Sequence, residues 1–295
     1  MFELLGIAPQ ALFGQLLLGL INGSFYAVLS LGLAVIFGLL NIINFAHGAL
    51  YMMGAFAAWM LLNYLGINFW VALALAPVIV GAIGIVLERL LLCRLYDLDH
   101  LYGLLLTFGL TLVITGLFQN FYGISGLPYQ IPNVLSGGVN LGFMFLPKYR
   151  AFVVLASIIV CLGTWFMIEK TRLGANLRAA TENPELVEAF GINVPRLITL
   201  TYGFGVALAA FAGVLAAPIY SVNPIMGNDL IIVVFAVVVI GGMGSIMGSI
   251  ITGFGLGAVE GLTKVFYPEA SSTIIFIIIA LVLLVKPRGL FGREA

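Results

Sequence analysis

Long runs of apolar residues, separated by short polar clusters, dominate the pattern along this chain. Runs of membrane-crossing length lie near residues 11–37, 46–65, 69–92, 102–122, 151–168, 197–219, 230–247, 249–266 and 271–286. A helix needs about 20 apolar residues to traverse the hydrocarbon core, so the pattern predicts eight or nine spans. Backbone polar groups must be paired inside lipid, and these runs are too long and too uniformly apolar for barrel strands. The expected fold is an all-α integral membrane protein, a polytopic bundle of eight or nine transmembrane helices in a single membrane domain over residues 1–295.

Charge placement then orients the bundle. Only 8% of residues are charged against 62% hydrophobic, the mean hydropathy is +1.19, and no Asp, Glu, Lys or Arg occurs from Leu4 to Leu87. Cations cluster at Arg89 and Arg94, at Lys170, Arg172, Arg178 and Arg196, and at Lys286, Arg288 and Arg293. By the positive-inside tendency these segments, including the C-terminus, are expected in the cytoplasm. Lys148, Arg150 and Lys264 then fall outside, and nine spans put the N-terminus outside too. Met1–Gln10 lacks the positive region of a secretory signal and is expected to stay in the mature chain. The long outer segment 123–150, punctuated by Pro128, Pro132, Gly137 and Gly138, reads as a structured loop with hairpin character. It could contact a partner outside or simply pack over helix ends.

The stretch 169–196, EKTRLGANLRAATENPELVEAFGINVPR, carries eight charged side chains and is the most polar part of the chain. Its centre has the signals of a very short helix: Asn183 as N-cap, Pro184 at the first position, Glu185 in the first turn and Gly191 past the end. Leu186, Val187, Ala189 and Phe190 give it an apolar side. A helix of about two turns is marginal alone in water, so that side is expected to dock against something. An ordinary solvated loop is the plainer reading.

Three intramembrane features stand out. Asn41, Asn44 and His47 interrupt an apolar region between Gly38 and Gly48. Polar groups at depth are costly unless paired or facing water. They fit a broken helix lining a solute path, or a tight cytoplasmic turn with the asparagines as caps. Second, the glycines Gly241, Gly242, Gly244, Gly248, Gly253, Gly257 and Gly261 fall largely at four-residue spacing, which favours close helix packing, within the chain or against another subunit. Third, Glu260 is an intramembrane carboxylate, and Lys264 one turn later offers it a partner. Asn22, Ser24 and Tyr26, and Thr107, Thr111 and Thr115, sit at spacings that could line a path, although intrahelical bonding explains most membrane threonines.

Several chemistries find no support in the sequence. Cys93 and Cys161 have neither disulfide nor metal-ligand spacing, so no metal and no cofactor is expected. No G-x-x-x-x-G-K-[ST] occurs, so the GGMGS run is no nucleotide loop. No His/Cys/Asp/Glu set has catalytic spacing, and no enzyme activity is expected.

The segment from Gly23 to Phe56, GSFYAVLSLGLAVIFGLLNIINFAHGALYMMGAF, resembles the high-affinity branched-chain amino acid ABC importer permeases. So do Arg172–Pro218 and Gly241–Leu262, in the family's order. Ala49 departs from it, standing where many members carry an acidic residue. The resemblance implies a type II ABC importer-like bundle in the bacterial inner membrane, working by alternating access. It implies a second related permease, two ATP-binding subunits and a periplasmic solute-binding protein as partners. Residues 169–196 would be the cytoplasmic coupling loop, with Asn183, Glu185, Leu186, Val187, Glu188, Phe190 and Gly191 in the ATPase-coupling helix. Similarity to ribose-type permeases favours the path-lining reading for Asn41, Asn44 and His47, with Asn22 a further path candidate by its spacing. The Gly and Ala faces of the first, sixth and eighth runs would meet the companion permease. Branched-chain amino acids are the default solute. A permease for urea or short amides, or an ion-coupled carrier using His47 or Glu260, are the competing expectations.

Overall fold

The computed structural model describes residues 9–40, 44–96, 98–142 and 144–292. In chain order the helices are α1 (Pro9–Leu40), α2 (Ala46–Leu65), α3 (Phe69–Leu90), α4 (His100–Tyr122), α5 (Lys148–Lys170), α6 (Arg172–Glu182), α7 (Pro184–Ala189), α8 (Val194–Tyr220), α9 (Asn228–Gly241), α10 (Ile246–Phe266) and α11 (Ile274–Val285). Seven of them, α1 to α5, α8 and α10, are long and apolar enough to cross a membrane. The fold is thus all-α and polytopic.

The expected eight or nine spans resolve into these seven and two shorter apolar helices, α9 and α11. Their 14 and 12 residues reach about 21 and 18 Å at 1.5 Å per residue, short of a core about 30 Å thick. Backbone geometry cuts both short. Gly242 and Gly244 adopt φ of 101° and 83° just past α9, while Pro268–Ala270 forms a 3-10 turn ahead of α11 and Pro287 follows its end.

Short polar side chains start the helices. Asn68, Asp99, Asn183, Asn193 and Ser245 each accept a hydrogen bond from a first-turn N–H, at 2.9 to 3.1 Å. Each such cap satisfies a donor that the helix leaves unpaired. Between α4 and α5 the expected hairpin is present as β1 (Gly138–Asn140) and β2 (Phe145–Pro147), antiparallel with Val139 opposite Leu146.

Contacts divide the chain into two compact units. One comprises Met1–Ser30, Ile131–Cys161 and Val233–Ala295; the other comprises Leu31–Gln130 and Leu162–Ile232. In the first, α1 and α10 meet through glycine. A Cβ placed on Gly257 would lie 2.4 Å from the Gly19 carbonyl oxygen, and one on Gly253 would lie 2.6 Å from the Ala27 backbone. Gly241 and Gly248 likewise meet backbone to backbone where α9 turns into α10. Gly242 and Gly244, expected among the helix-packing glycines, are turn residues instead. Their positive φ removes them from any helix, and the C-terminal segment returns over Gly242, with Leu290 N–H donating to the Ile240 carbonyl at 2.8 Å.

In the second unit α8 lies against both α2 and α3. Its small residues from Gly203 to Ala217 are largely buried, and Gly213 faces the Tyr51 carbonyl at backbone distance. The glycine and alanine faces of α1, α8 and α10 are therefore largely occupied within the chain. Most of these positions meet a helix of the same chain, where the sequence reading expects a companion permease, while Gly255 of α10 faces open space. Outward-facing positions carry large apolar side chains instead, among them Val78, Leu105, Leu112, Phe121 and Ile159.

This packing predicts a sharp contrast along α10. Gly257→Ala should lower stability by about 1–3 kcal/mol, as overpacking does, because the Gly19 and Gly23 backbones cannot yield. Gly255→Ala, with open space around it, should be neutral or stabilising by up to about 1 kcal/mol from helix propensity. Thermal unfolding in detergent reads both; equal melting would show that the ladder is not a helix contact.

Candidate functional site

The polar loop after α5 folds into two helices. The sequence reading foresaw α7 but not α6. Gly174 lets α6 turn back tightly onto the end of α5, for a Cβ there would collide with the Ile168 carbonyl. Arg178 Nη1 donates to that same carbonyl at 2.7 Å and pairs with Glu169 at 3.6 Å. At α7, Asn183 Oδ1 accepts from Leu186 N–H at 2.9 Å, and Gly191 at φ 82° follows the helix end. The cap and stop read from the sequence are thus both present.

The apolar residues of α7 do not share one side. Val187 is buried with Ala180 of α6 and Val194 of α8, and Ile192, Leu197 and Ile198 pack around them. Leu186 and Phe190 remain 54% and 77% exposed, and Glu185 and Glu188 are exposed beside them. Helical geometry explains the split. Neighbours 186 and 187 point about 100° apart, whereas 186 and 190 are one turn apart and share a face. Val187 is therefore no docking contact, correcting its grouping with Leu186 and Phe190. It keys α7 onto this chain.

Within the second unit the turn before α2 is buried rather than wet. Asn44 and His47 are both fully inaccessible. Asn44 Nδ2 donates to the Tyr202 hydroxyl of α8 at 3.1 Å, and Phe45 N–H donates to Thr107 Oγ1 of α4 at 3.1 Å. The His47 ring fills the notch left by Gly32, whose Cβ would lie 3.1 Å from it. Thr107 and Tyr202 lie about two turns inside their helices, so these groups sit among helices and not on a surface. Asn41 lies outside the described residues. Asn22 is partly exposed on the part of α1 that belongs to the first unit. Thr111 bonds back to the Thr107 carbonyl at 2.9 Å, as membrane threonines commonly do.

In the first unit, Glu260 takes the partner its spacing offered. Lys264 Nζ donates to Oε1 at 2.5 Å, and Tyr26 of α1 donates to Oε2 at 2.7 Å. The Tyr26 spacing is compatible with a path-lining place; its hydroxyl ties α1 to α10.

One buried carboxylate escaped the sequence reading. Glu88, near the end of α3, is 2% exposed. Tyr96 donates to its Oε1 at 2.5 Å and Thr199 of α8 to its Oε2 at 2.8 Å. Burial, and then the neighbouring carboxylate, pushes the Tyr96 phenol above its ordinary range. Next to Arg89, Glu88 looks like an interfacial charge. Its position as the first carboxylate after the long uncharged stretch was the available signal.

The described residues hold no group of three or more His, Cys, Asp or Glu able to bind a metal. Long apolar helices, intrahelical threonines, helix-to-helix polar ties and one exposed capped helix define the class: a multi-pass membrane protein. The sequence profile of the family described as "Branched-chain amino acid transport system / permease component" matches residues 15–284, and the chain belongs to that family. It is 31% identical to the high-affinity branched-chain amino acid transport system permease protein LivH of Escherichia coli, over 95% of each chain. The same figures hold for the permease protein BraD of Pseudomonas aeruginosa. Similarity extends to the permease protein LivM of Escherichia coli, at 28% identity over 90% of this chain and 67% of that one.

The buried Asn44 tie yields a direct check. Tyr202→Phe removes its acceptor and strands an amide N–H, and should cost about 1–3 kcal/mol of stability. Tyr102→Phe, at an exposed position of α4, should stay within about 0.5 kcal/mol. Thermal unfolding of the two variants decides whether the tie exists; identical midpoints would refute it.

Proposed function

We propose that this chain is one permease subunit of an ATP-driven importer for branched-chain amino acids. It would sit in a bacterial inner membrane with its C-terminus in the cytoplasm and its N-terminus on the periplasmic side. A periplasmic solute-binding protein delivers the amino acid to the outer face. Two ATP-binding subunits bind ATP and close, and this chain and a second, related permease rearrange to release the solute inward. The named relatives favour this reading, since the chain is similar to two differently named permeases of one transport system.

The observation that carries the ATP-driven part is the pair of exposed apolar side chains on α7. Leu186 and Phe190 stand in water, flanked by Glu185 and Glu188, while Val187 anchors the same helix to α6 and α8. A six-residue helix cannot hold itself together in water. Here Asn183 starts it, Gly191 follows its end and Val187 fixes it, so its outer face is preorganised for a partner and little ordering remains to oppose docking. A groove on an ATP-binding subunit would receive Leu186 and Phe190, and displacement of α7 would pass to α8 through Val187 and Val194.

Asn22, Asn41, Asn44 and His47 remain our candidates for contact with solute along the route. Their number suits a subunit that receives cargo from a high-affinity partner and must release it. The buried state of Asn44 and His47 then corresponds to a conformation in which that part of the route is shut.

The test is reconstitution of the full importer in proteoliposomes, with wild type compared to Leu186→Asp/Phe190→Asp. Loss of two anchor residues should weaken ATPase attachment at least about thirtyfold, the scale of an interface hot spot. The second permease should stay bound. ATP-dependent uptake of leucine, isoleucine and valine should vanish with the ATPase. Uptake of urea or acetamide in preference to these would reassign the solute. Uptake that persists without ATP and collapses with an ionophore would overturn the importer reading.

A further inference from the structure

Glu88 is an expensive residue to keep where it is. A carboxylate with 2% exposure forfeits its hydration, and among the described residues no cation lies within ion-pair distance, the pairs being Arg178 with Glu169 and Lys264 with Glu260. Two hydroxyls hold it instead. Tyr96 comes from the short segment between α3 and α4, and Thr199 from α8. Apolar residues of the same volume would fill this space at no electrostatic cost. Burial alone therefore gives no reason for the carboxylate.

Its place in the chain does. Thr199 lies five residues after Val194, one and a half turns along the same helix, and Val194 packs on Val187 of α7. A continuous sequence of contacts thus runs from the exposed Leu186 and Phe190 through Val187 to the start of α8, and through Thr199 to the end of α3. Thr199 also faces its own helix, with the Pro195 carbonyl 3.0 Å from its hydroxyl. A hydroxyl has one proton and cannot give it fully to both acceptors. It therefore has two stable partners, the α3 carboxylate or the α8 backbone. Turning to the backbone would loosen this tie while both helices stay packed.

We infer that Glu88 is a positioning residue for transport. It clamps the cytoplasmic end of α3 to α8 through Thr199 and to the α3–α4 connection through Tyr96, so that movement of α7 carries α3 and α8 together. The inference rests on the reading of α7 as the ATPase contact. Hydrogen bonds to charged groups are the strong class, and loss of a donor loosens the clamp while the helices keep their apolar packing.

The experiment uses the complete importer in proteoliposomes with Thr199→Val, Tyr96→Phe and Glu88→Gln, reading ATP hydrolysed and amino acid taken up in the same vesicles. For Thr199→Val the uptake per ATP should fall about tenfold, within the range of coupling free energies between sites. ATPase attachment and the amount of assembled complex should not change. Tyr96→Phe should act in the same direction. Glu88→Gln, which keeps the shape and can still accept from Tyr96, should fall between wild type and Thr199→Val. An unchanged uptake per ATP in Thr199→Val and Tyr96→Phe overturns the inference. So does a loss of uptake accounted for entirely by less assembled complex, since the cluster would then serve only folding. Failure of the α7 reading is separate: Leu186→Asp/Phe190→Asp would then keep its ATPase, whatever Glu88 does.

Discussion

Hydrocarbon offers a helix nothing better than what another apolar helix offers, so burial from water cannot hold this bundle together once it is in the membrane. Association has to come from contact distance. The glycine positions supply it. Gly19 and Gly23 of α1 meet Gly253 and Gly257 of α10, and Gly54 and Gly213 bring α2 and α8 together at backbone distance. Each such position lets two backbones approach where a single methyl group would part them. The internal use of these faces follows directly. A small-residue stripe that already has a partner in its own chain has none to spare, and the outer surface is left to Val, Leu, Ile and Phe.

Against that background a few polar contacts join a helix to another helix or to the turn before α2. Tyr26 reaches Glu260, Asn44 reaches Tyr202, Phe45 N–H reaches Thr107, and Thr199 reaches Glu88. In a medium without water an unpaired polar group is costly, so each tie is selective about geometry in a way that leucine packing is not. Closely packed helices with discrete polar partners change by exchanging one arrangement for another rather than by bending. That property suits the rearrangement proposed above for inward release of solute.

Much of the fold could be read without coordinates because its signals are local. Span length, the Asn183 cap, the Gly191 stop, the hairpin after Gly137 and the Glu260–Lys264 pair all depend on residues within about one turn or one loop of each other. The misreadings have one origin. Leu186, Val187 and Phe190 look alike as letters, and only the arrangement of α6 and α8 turns Val187 inward. Gly244 has the spacing of a packing residue with Gly248, but it and Gly242 lie in the left-handed region. Glu88 was passed over because Thr199, its partner on α8, stands 111 positions away.

Sequence by itself determined that this chain is a helical membrane protein with a capped, charged segment outside the lipid, because hydropathy and capping act over a few residues. Tertiary structure decided which glycines carry helix contacts and which make turns, which face of α7 is free, and which carboxylates are held by hydroxyls from other helices. Those outcomes depend on distances between segments far apart in the chain, and no local property of either segment encodes them.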